Sequence, residues 1–143
     1  MSLFAAIDIA GSGLTAERVR MDVAADNLAN AQSTRSAAGG PYRRKLVLLR
    51  SAEPGGFAAV LGRRMAGAAG VEVAGIVEDT TPGPVVYDPG HPDADRRGYV
   101  RMPNVNPVSE LVDLITASRA YEANVTSMQT AKQMFSRTLE ILR

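Results

Sequence analysis

The chain's single histidine, His91, lies among Asp88, Asp93 and Asp95, so four potential oxygen or nitrogen ligands fall within eight residues. A calcium-type loop would need oxygen ligands at alternate positions and a closing glutamate. This stretch has neither. The interleaved Pro89, Gly90 and Pro92 account for its composition as a rigid turn. No metal ligand is expected here.

Other catalytic arrangements fare no better. No Gly-Lys-Ser/Thr follows a glycine at the spacing of a phosphate loop, and Gly11-Ser12-Gly13 lacks a third glycine and a preceding strand. With one histidine and no cysteine there is no Ser/His/Asp or Cys/His set to activate a nucleophile. No catalytic residue and no cofactor is expected, and the chain reads as a non-enzyme. Asn124-Val125-Thr126 matches a glycosylation sequon, but it lies within an apolar helical register and reads as a chance match.

The one basic cluster is Arg43-Arg44-Lys45, with Tyr42 beside it and Arg50, Arg63 and Arg64 beyond. It could contact phosphates by sequence-independent ion pairing. The plainer reading is a strand edge whose cations discourage edge-to-edge pairing and meet acidic neighbours. Net charge is only +1, from 16 basic and 15 acidic residues, and gives no general pull toward nucleic acid or anionic lipid. The charge is unevenly spread, because residues 32–64 are basic and residues 65–106 acidic.

The absence of cysteine excludes disulfides. No apolar run reaches about 18 residues, so no membrane-spanning segment is expected. The start, Met1 to Asp8, has no basic residue and is interrupted by Asp8, unlike a cleaved secretory signal.

The elements that must position these residues are carried by the two ends. Ile7, Ala10, Leu14, Met21, Ala24, Leu28 and Ala31 alternate at spacings of three and four, broken only by Glu17. That is coiled-coil spacing over roughly four heptads. Gly11 and Gly13 each cost about 1 kcal/mol within a helix. The helix is therefore expected to be continuous only once a neighbour packs against it. The other end is more regular. Leu111, Leu114, Ser118, Tyr121, Val125, Met128, Lys132, Phe135, Leu139 and Leu142 keep the alternation, and Val112, Ile115, Ala131 and Met134 widen the stripe. Asn106 suits an N-cap and Pro107 the first helical position. About 36 residues at 1.5 Å each give roughly 54 Å, too long to hide in a small globule.

Between them, Lys45–Leu49, Gly70–Val77, Val85–Tyr87 and Gly98–Arg101 read as short strands separated by Gly/Pro breakers. Residues 51–69 read as a mobile spacer. The expected fold is mainly α with a small β-rich middle, divided as an N-terminal helix over residues 1–31, a loop and β region over 32–103, and a C-terminal helix over 104–143. Neither apolar seam can be buried locally. Each needs the other terminus, another subunit, or both.

Several stretches resemble a known family. Ser12-Gly13-Leu14-Thr15-Ala16, followed by Ala24-Ala25-Asp26-Asn27-Leu28-Ala29-Asn30-Ala31, resembles the N-terminal motif of bacterial flagellar rod, hook and hook-associated proteins. Asn104-Val105-Asn106-Pro107 and Ser118-Arg119-Ala120-Tyr121-Glu122-Ala123-Asn124 are similar to their C-terminal motif. Pro41-Tyr42-Arg43-Arg44-Lys45, Val86 through Asp95, and Gly98-Tyr99-Val100 resemble the proximal-rod branch of that family.

The resemblance implies a structural subunit of the basal-body rod that crosses the periplasm, exported unfolded by the flagellar type III apparatus. The terminal helices would pair as a coiled coil in the assembled rod, around a central channel. Implied partners are copies of itself, the other rod proteins, the export gate and rod-base adaptor, and the surrounding ring; neither nucleic acid nor a membrane is implied. The expected assembly residues are Ile7, Leu14, Met21, Asn27, Leu28, Asn30, Leu111, Leu114, Tyr121, Asn124, Val125, Met128, Phe135 and Leu139. Lateral contacts are expected from Arg43, Arg44, Lys45, Asp88, His91, Asp93 and Asp95. The competing reading is a small nucleic-acid-binding coiled-coil dimer that uses Arg43, Arg44, Lys45 and Arg50.

Overall fold

The computed structural model describes residues 3–36, 39–52 and 70–141. The spacer expected over 51–69 lies outside the described residues from position 53 onward, as do Ala37, Ala38 and Leu142. Helix α1, Leu3–Ala29, and helix α2, Pro107–Ile141, bracket four strands: β1 Lys45–Ser51, β2 Val71–Glu78, β3 Val85–Tyr87 and β4 Tyr99–Arg101. The fold is mainly α with a small β-rich middle, as the periodicity implied.

Helix α1 runs unbroken through Gly11 and Gly13. The neighbour that packs against it there is the chain's own α2. A Cβ at Gly11 would stand 3.8 Å from Met128 Cε, and one at Gly13 would stand 2.8 Å from Asn124 Nδ2. The end of α1 also comes earlier than Ala31. Asn30 donates both its backbone N–H (3.1 Å) and its side-chain Nδ2 (2.9 Å) to Asp26 O, and Ser33 N–H donates to Asn30 O at 3.0 Å. These bonds satisfy carbonyls that a helix end otherwise leaves open.

Helix α2 opens as its sequence implies. Asn106 Oδ1 accepts from the N–H groups of Val108 (3.0 Å) and Ser109 (3.4 Å), and Pro107 takes the first position. Such a cap stabilises a helix by about 1 kcal/mol.

The four strands form two separate antiparallel ribbons. In the first, β1 pairs with β2 from Lys45↔Glu78 to Ser51↔Val71, with a bulge at Ala74 that falls between the partners of Leu48 and Leu49. In the second, β3 pairs with β4 from Val85↔Arg101 to Tyr87↔Tyr99. A two-stranded ribbon is marginal alone. The first ribbon leans on α1, where Ser12 Oγ accepts from Val71 N–H at 3.1 Å. The second stacks Tyr87 on Tyr99 edge-to-face at 5.2 Å and buries Val100. Its loop closes through Gly98 at φ 82°, where a Cβ would also stand 2.9 Å from the Tyr87 ring.

Among the described residues the buried apolar side chains are Ala10, Ala16, Val23, Ala24, Val100, Ala117 and Ala131. Many of the large apolar side chains, among them Val108, Leu111, Val112 and Ile115, are exposed instead.

Candidate assembly interface

The helices pair antiparallel. Phe4 meets Phe135 edge-to-face at 5.6 Å at one end, and Asn27 meets Glu110 at the other. Between these points the contact line of α2 repeats every seven residues as Glu110, Ala117, Asn124 and Ala131. On α1 it runs through Ala10, Gly13, Ala16, Val23, Ala24 and Asn27. Small residues in these places let the two backbones approach closely, since interhelical distance follows the size of the side chains at the contact.

At the closed end the seam gives way to a polar knot. Asn27, only 1% exposed, donates Nδ2 to Glu110 Oε2 and to Lys45 O, both at 2.9 Å. Its Oδ1 accepts from Lys45 N–H at 2.9 Å and from Tyr42 OH at 3.0 Å. Both amide hydrogens and both acceptor positions are therefore used. Glu110, 2% exposed, accepts from Arg44 Nε at 2.5 Å on its other oxygen, and Arg44 Nη2 reaches Asp113 at 3.1 Å. Asn104 completes the tie by accepting from Arg44 N–H at 2.8 Å and donating to Asp79 O at 3.1 Å. Residues near 27, 44, 79, 104 and 110 are thus joined without an unpartnered buried side-chain polar atom among those described.

The Asp88–Asp95 loop is braced from within. Asp88 Oδ1 accepts from Gly90 N–H at 3.1 Å, and Asp95 Oδ1 accepts from the N–H groups of Arg97 (2.8 Å) and Tyr99 (2.9 Å). His91 Nδ1 accepts from Asp93 N–H at 3.1 Å. Asp93 ties the loop to the segment after α1, accepting from Thr34 Oγ1 at 2.7 Å and from the Arg35 guanidinium. The Thr34 hydrogen bond, more than the Arg35 charge, holds the Asp93 carboxyl below its ordinary value. Among the described residues no three His, Cys, Asp or Glu side chains gather as a metal-holding set.

Comparison with known proteins matches this two-ended architecture. The family described as "Flagella basal body rod protein" matches residues 7–35, and the one described as "Flagellar basal body rod FlgEFG protein C-terminal" matches residues 96–141. The chain is also similar end to end to proteins called "Flagellar basal-body rod protein FlgC". It is 45% identical to that of Bacillus subtilis strain 168, with 99% of each chain covered. Against the Borreliella burgdorferi protein the identity is 45%, covering 100% of this chain and 99% of the relative. Against that of Escherichia coli O6:H1 it is 46%, covering 99% and 98%. This chain belongs to the FlgC family of flagellar basal-body rod proteins.

In this FlgC-family chain the residues singled out from sequence fall into three groups. Asn27 is fully buried in the knot. Ile7, Leu14, Met21, Asn30, Leu114, Tyr121, Asn124, Val125 and Met128 are half-buried along the flanks of the helix pair. Leu28, Leu111, Phe135 and Leu139 are exposed, at 37%, 47%, 38% and 52%. The basic residues are occupied within the chain. Arg43 lies 4.0 Å from Glu78, Arg44 is held by Glu110 and Asp113, Lys45 lies 3.7 Å from Asp26 with its ammonium 5.7 Å from the Tyr42 ring centroid, and Arg50 pairs with Glu72. Each cation of the segment proposed for nucleic acid therefore faces a carboxylate, and nothing favours that reading.

Glu110, Asn104, Asp113 and Ser12 escaped the sequence reading as site residues. The signal for Glu110 was the strict seven-residue line it shares with Ala117, Asn124 and Ala131. A search for large apolar residues passes over a line made of small and polar ones.

Proposed function

We propose that the chain is a non-catalytic structural subunit of the flagellar proximal rod, built into the axial shaft by its terminal helices. One observation carries the reading. The helix pair buries Ala10, Ala16, Val23, Ala24, Ala117 and Ala131 and leaves many of its large apolar side chains exposed. Val108, Leu111, Val112 and Ile115 follow the i, i+3, i+4, i+7 rule of a single helix face, and all four are exposed. Leu28, Met134, Phe135 and Leu139 are exposed as well, Phe135 beside its contact with Phe4. Along α2, Thr116, Thr126, Ser127, Thr130, Ser136 and Thr138 donate their hydroxyls to the carbonyl four residues back. Those hydroxyl hydrogens demand no partner from a packing neighbour.

In the assembled rod these faces meet the helices of copies and of other rod proteins around the channel. The segment at Arg43–Lys45 and the braced loop carrying Asp88, His91, Asp93 and Asp95 set lateral order. Export precedes folding, through the type III gate, and the rod-base adaptor and surrounding ring are the outer partners. Membership of the FlgC family supports the place in the basal-body rod; the export route, the adaptor and the ring are what the resemblance of the terminal motifs implies.

The test uses Leu28→Asp and Leu111→Asp, both at exposed positions. The isolated variants are expected to keep their helix content by circular dichroism, while rods in cells lose the subunit and motility disappears. Normal swimming in both would sink the interface assignment.

A further inference from the structure

We propose that Glu110, through its bonds to Asn27 and Arg44, is the residue that sets the register of the two terminal helices. The need for such a residue follows from the seam. Sliding α2 along α1 by one heptad, about 10 Å, sets Asn27 against Ala117, Arg20 against Asn124 and Gly13 against Ala131. Two of these pairings meet no steric bar, because Ala117 and Ala131 are small; the third sets Arg20 where Gly13 now admits Asn124, at a place where even a Cβ would stand 2.8 Å from Asn124 Nδ2. Packing of the alanines alone therefore discriminates poorly between registers, and the Gly13–Asn124 approach adds a steric preference for the native one. A buried polar residue does discriminate, since a slip leaves it unpaired, and fixing register is the best-attested use of such residues.

The knot has the geometry for this role. Glu110 is 2% exposed and has two partners from different parts of the chain, Asn27 Nδ2 at 2.9 Å and Arg44 Nε at 2.5 Å. A slip by one heptad separates it from both at once. Elsewhere along the described seam the close approach of Gly13 to Asn124 adds steric selection, without a buried charge. The Phe4–Phe135 pair lies at the far end, with Phe4 64% exposed. Glu110 thus acts as a positioning residue, and its effect is to place the exposed face of α2 at a defined height against α1. The inference stands on the isolated chain and does not depend on the rod reading.

The chain has no cysteine, so introduced thiols report on register alone. Phe4→Cys with Phe135→Cys reports the native register, and Gly11→Cys with Phe135→Cys reports a one-heptad slip. Both pairs are placed in three full-length backgrounds (unaltered, Glu110→Gln and Glu110→Leu) and treated with a short thiol crosslinker. Glutamine keeps one acceptor oxygen, for Asn27 Nδ2 or for Arg44 Nε, and loses the other bond; leucine keeps the volume without either bond. The native crosslink is expected to dominate in the unaltered and Glu110→Gln chains. In Glu110→Leu, at unchanged helix content, the slipped crosslink rises about tenfold or more, the change produced by losing roughly 1.4 kcal/mol of preference. Native crosslinks alone in Glu110→Leu would overturn the proposal and assign register to the connecting ribbons. Loss of helix content in Glu110→Leu would also overturn it, making Glu110 a stabiliser of the fold and not its register.

Discussion

Tyr42 donates its hydroxyl hydrogen to Asn27 Oδ1 at 3.0 Å, inside the knot. Burial, then the charges of Asp26, Glu110 and Glu78, push its ionisation above the ordinary 10.0. Folded Tyr42 therefore keeps its proton where the unfolded chain releases it. Its contribution to stability is complete below pH 10.0 and is lost as pH rises through the raised folded value. Tyr42→Phe removes the hydrogen bond and the titration together. Urea unfolding is expected to show a loss of about 1 kcal/mol at neutral pH and a shallower alkaline decline. An alkaline decline as steep as that of the unaltered chain would place the titrating group elsewhere. Asp93 carries the opposite sign. Its carboxyl is held below 3.8, first by the Thr34 hydroxyl, so its tie is present above that value and lost as pH falls through the lower folded one. Amide chemical shifts of Thr34 and Arg35 should titrate below 3.8, and Asp93→Asn should abolish that titration.

At the scale of elements, the first ribbon is held to α1 through Ser12 on β2 and Asn27 on β1. Ser12 Oγ donates to Ile9 O at 2.7 Å and accepts from Val71 N–H at 3.1 Å, so one hydroxyl fastens β2 to α1. Ser12→Ala is expected to cost about 1 kcal/mol and to speed hydrogen exchange at the Val71 amide while leaving exchange within α2 unchanged. The glycines differ in a way that can be measured. Gly11→Ala places a methyl at ordinary contact distance from Met128 Cε and should stabilise the chain by about 0.5–1 kcal/mol through helix propensity. Gly13→Ala must displace the Asn124 side chain and should gain less in the same urea titration. The elements themselves were legible, because three-four spacing, the Asn106–Pro107 start and the Gly/Pro breakers are local signals. The facing of the helices was harder to read. Hydrophobic periodicity marks where large side chains gather, and here Leu28, Leu111 and Leu139 are left exposed. Glu110 was hidden for a related reason. A carboxylate in a first helical turn ordinarily reads as a favourable charge near the helix dipole, and only the folding-together of residues 27, 44 and 110 turns it into a buried partner.

At the scale of the whole molecule, the helix pair is closed at one end and loose at the other. The closed end has Asn27, Glu110, Arg44 and Asn104 bonded across three distant segments, and α1 stops there against its own cap. Moving away from it, the seam offers alanines and glycines, each of which withholds little apolar area from water. Past Ala131, every described side chain of α2 is exposed, and there Phe135 meets Phe4 edge-to-face. Backbone opening should cost least where few apolar contacts resist it. Hydrogen exchange on the dilute chain is therefore expected to show a gradient, with strong protection around Val23–Asn27 and Leu114–Ala117 and progressively weaker protection toward Phe4 and Leu139. On the proposed interface, in which neighbours cover the outer face of α2 and its overhanging end, the same amides should become uniformly protected in assembled rods. Strong protection of both ends in the dilute chain would show that the hairpin is already a finished bundle. The exposed Leu111, Phe135 and Leu139 would then have to be explained without a partner helix.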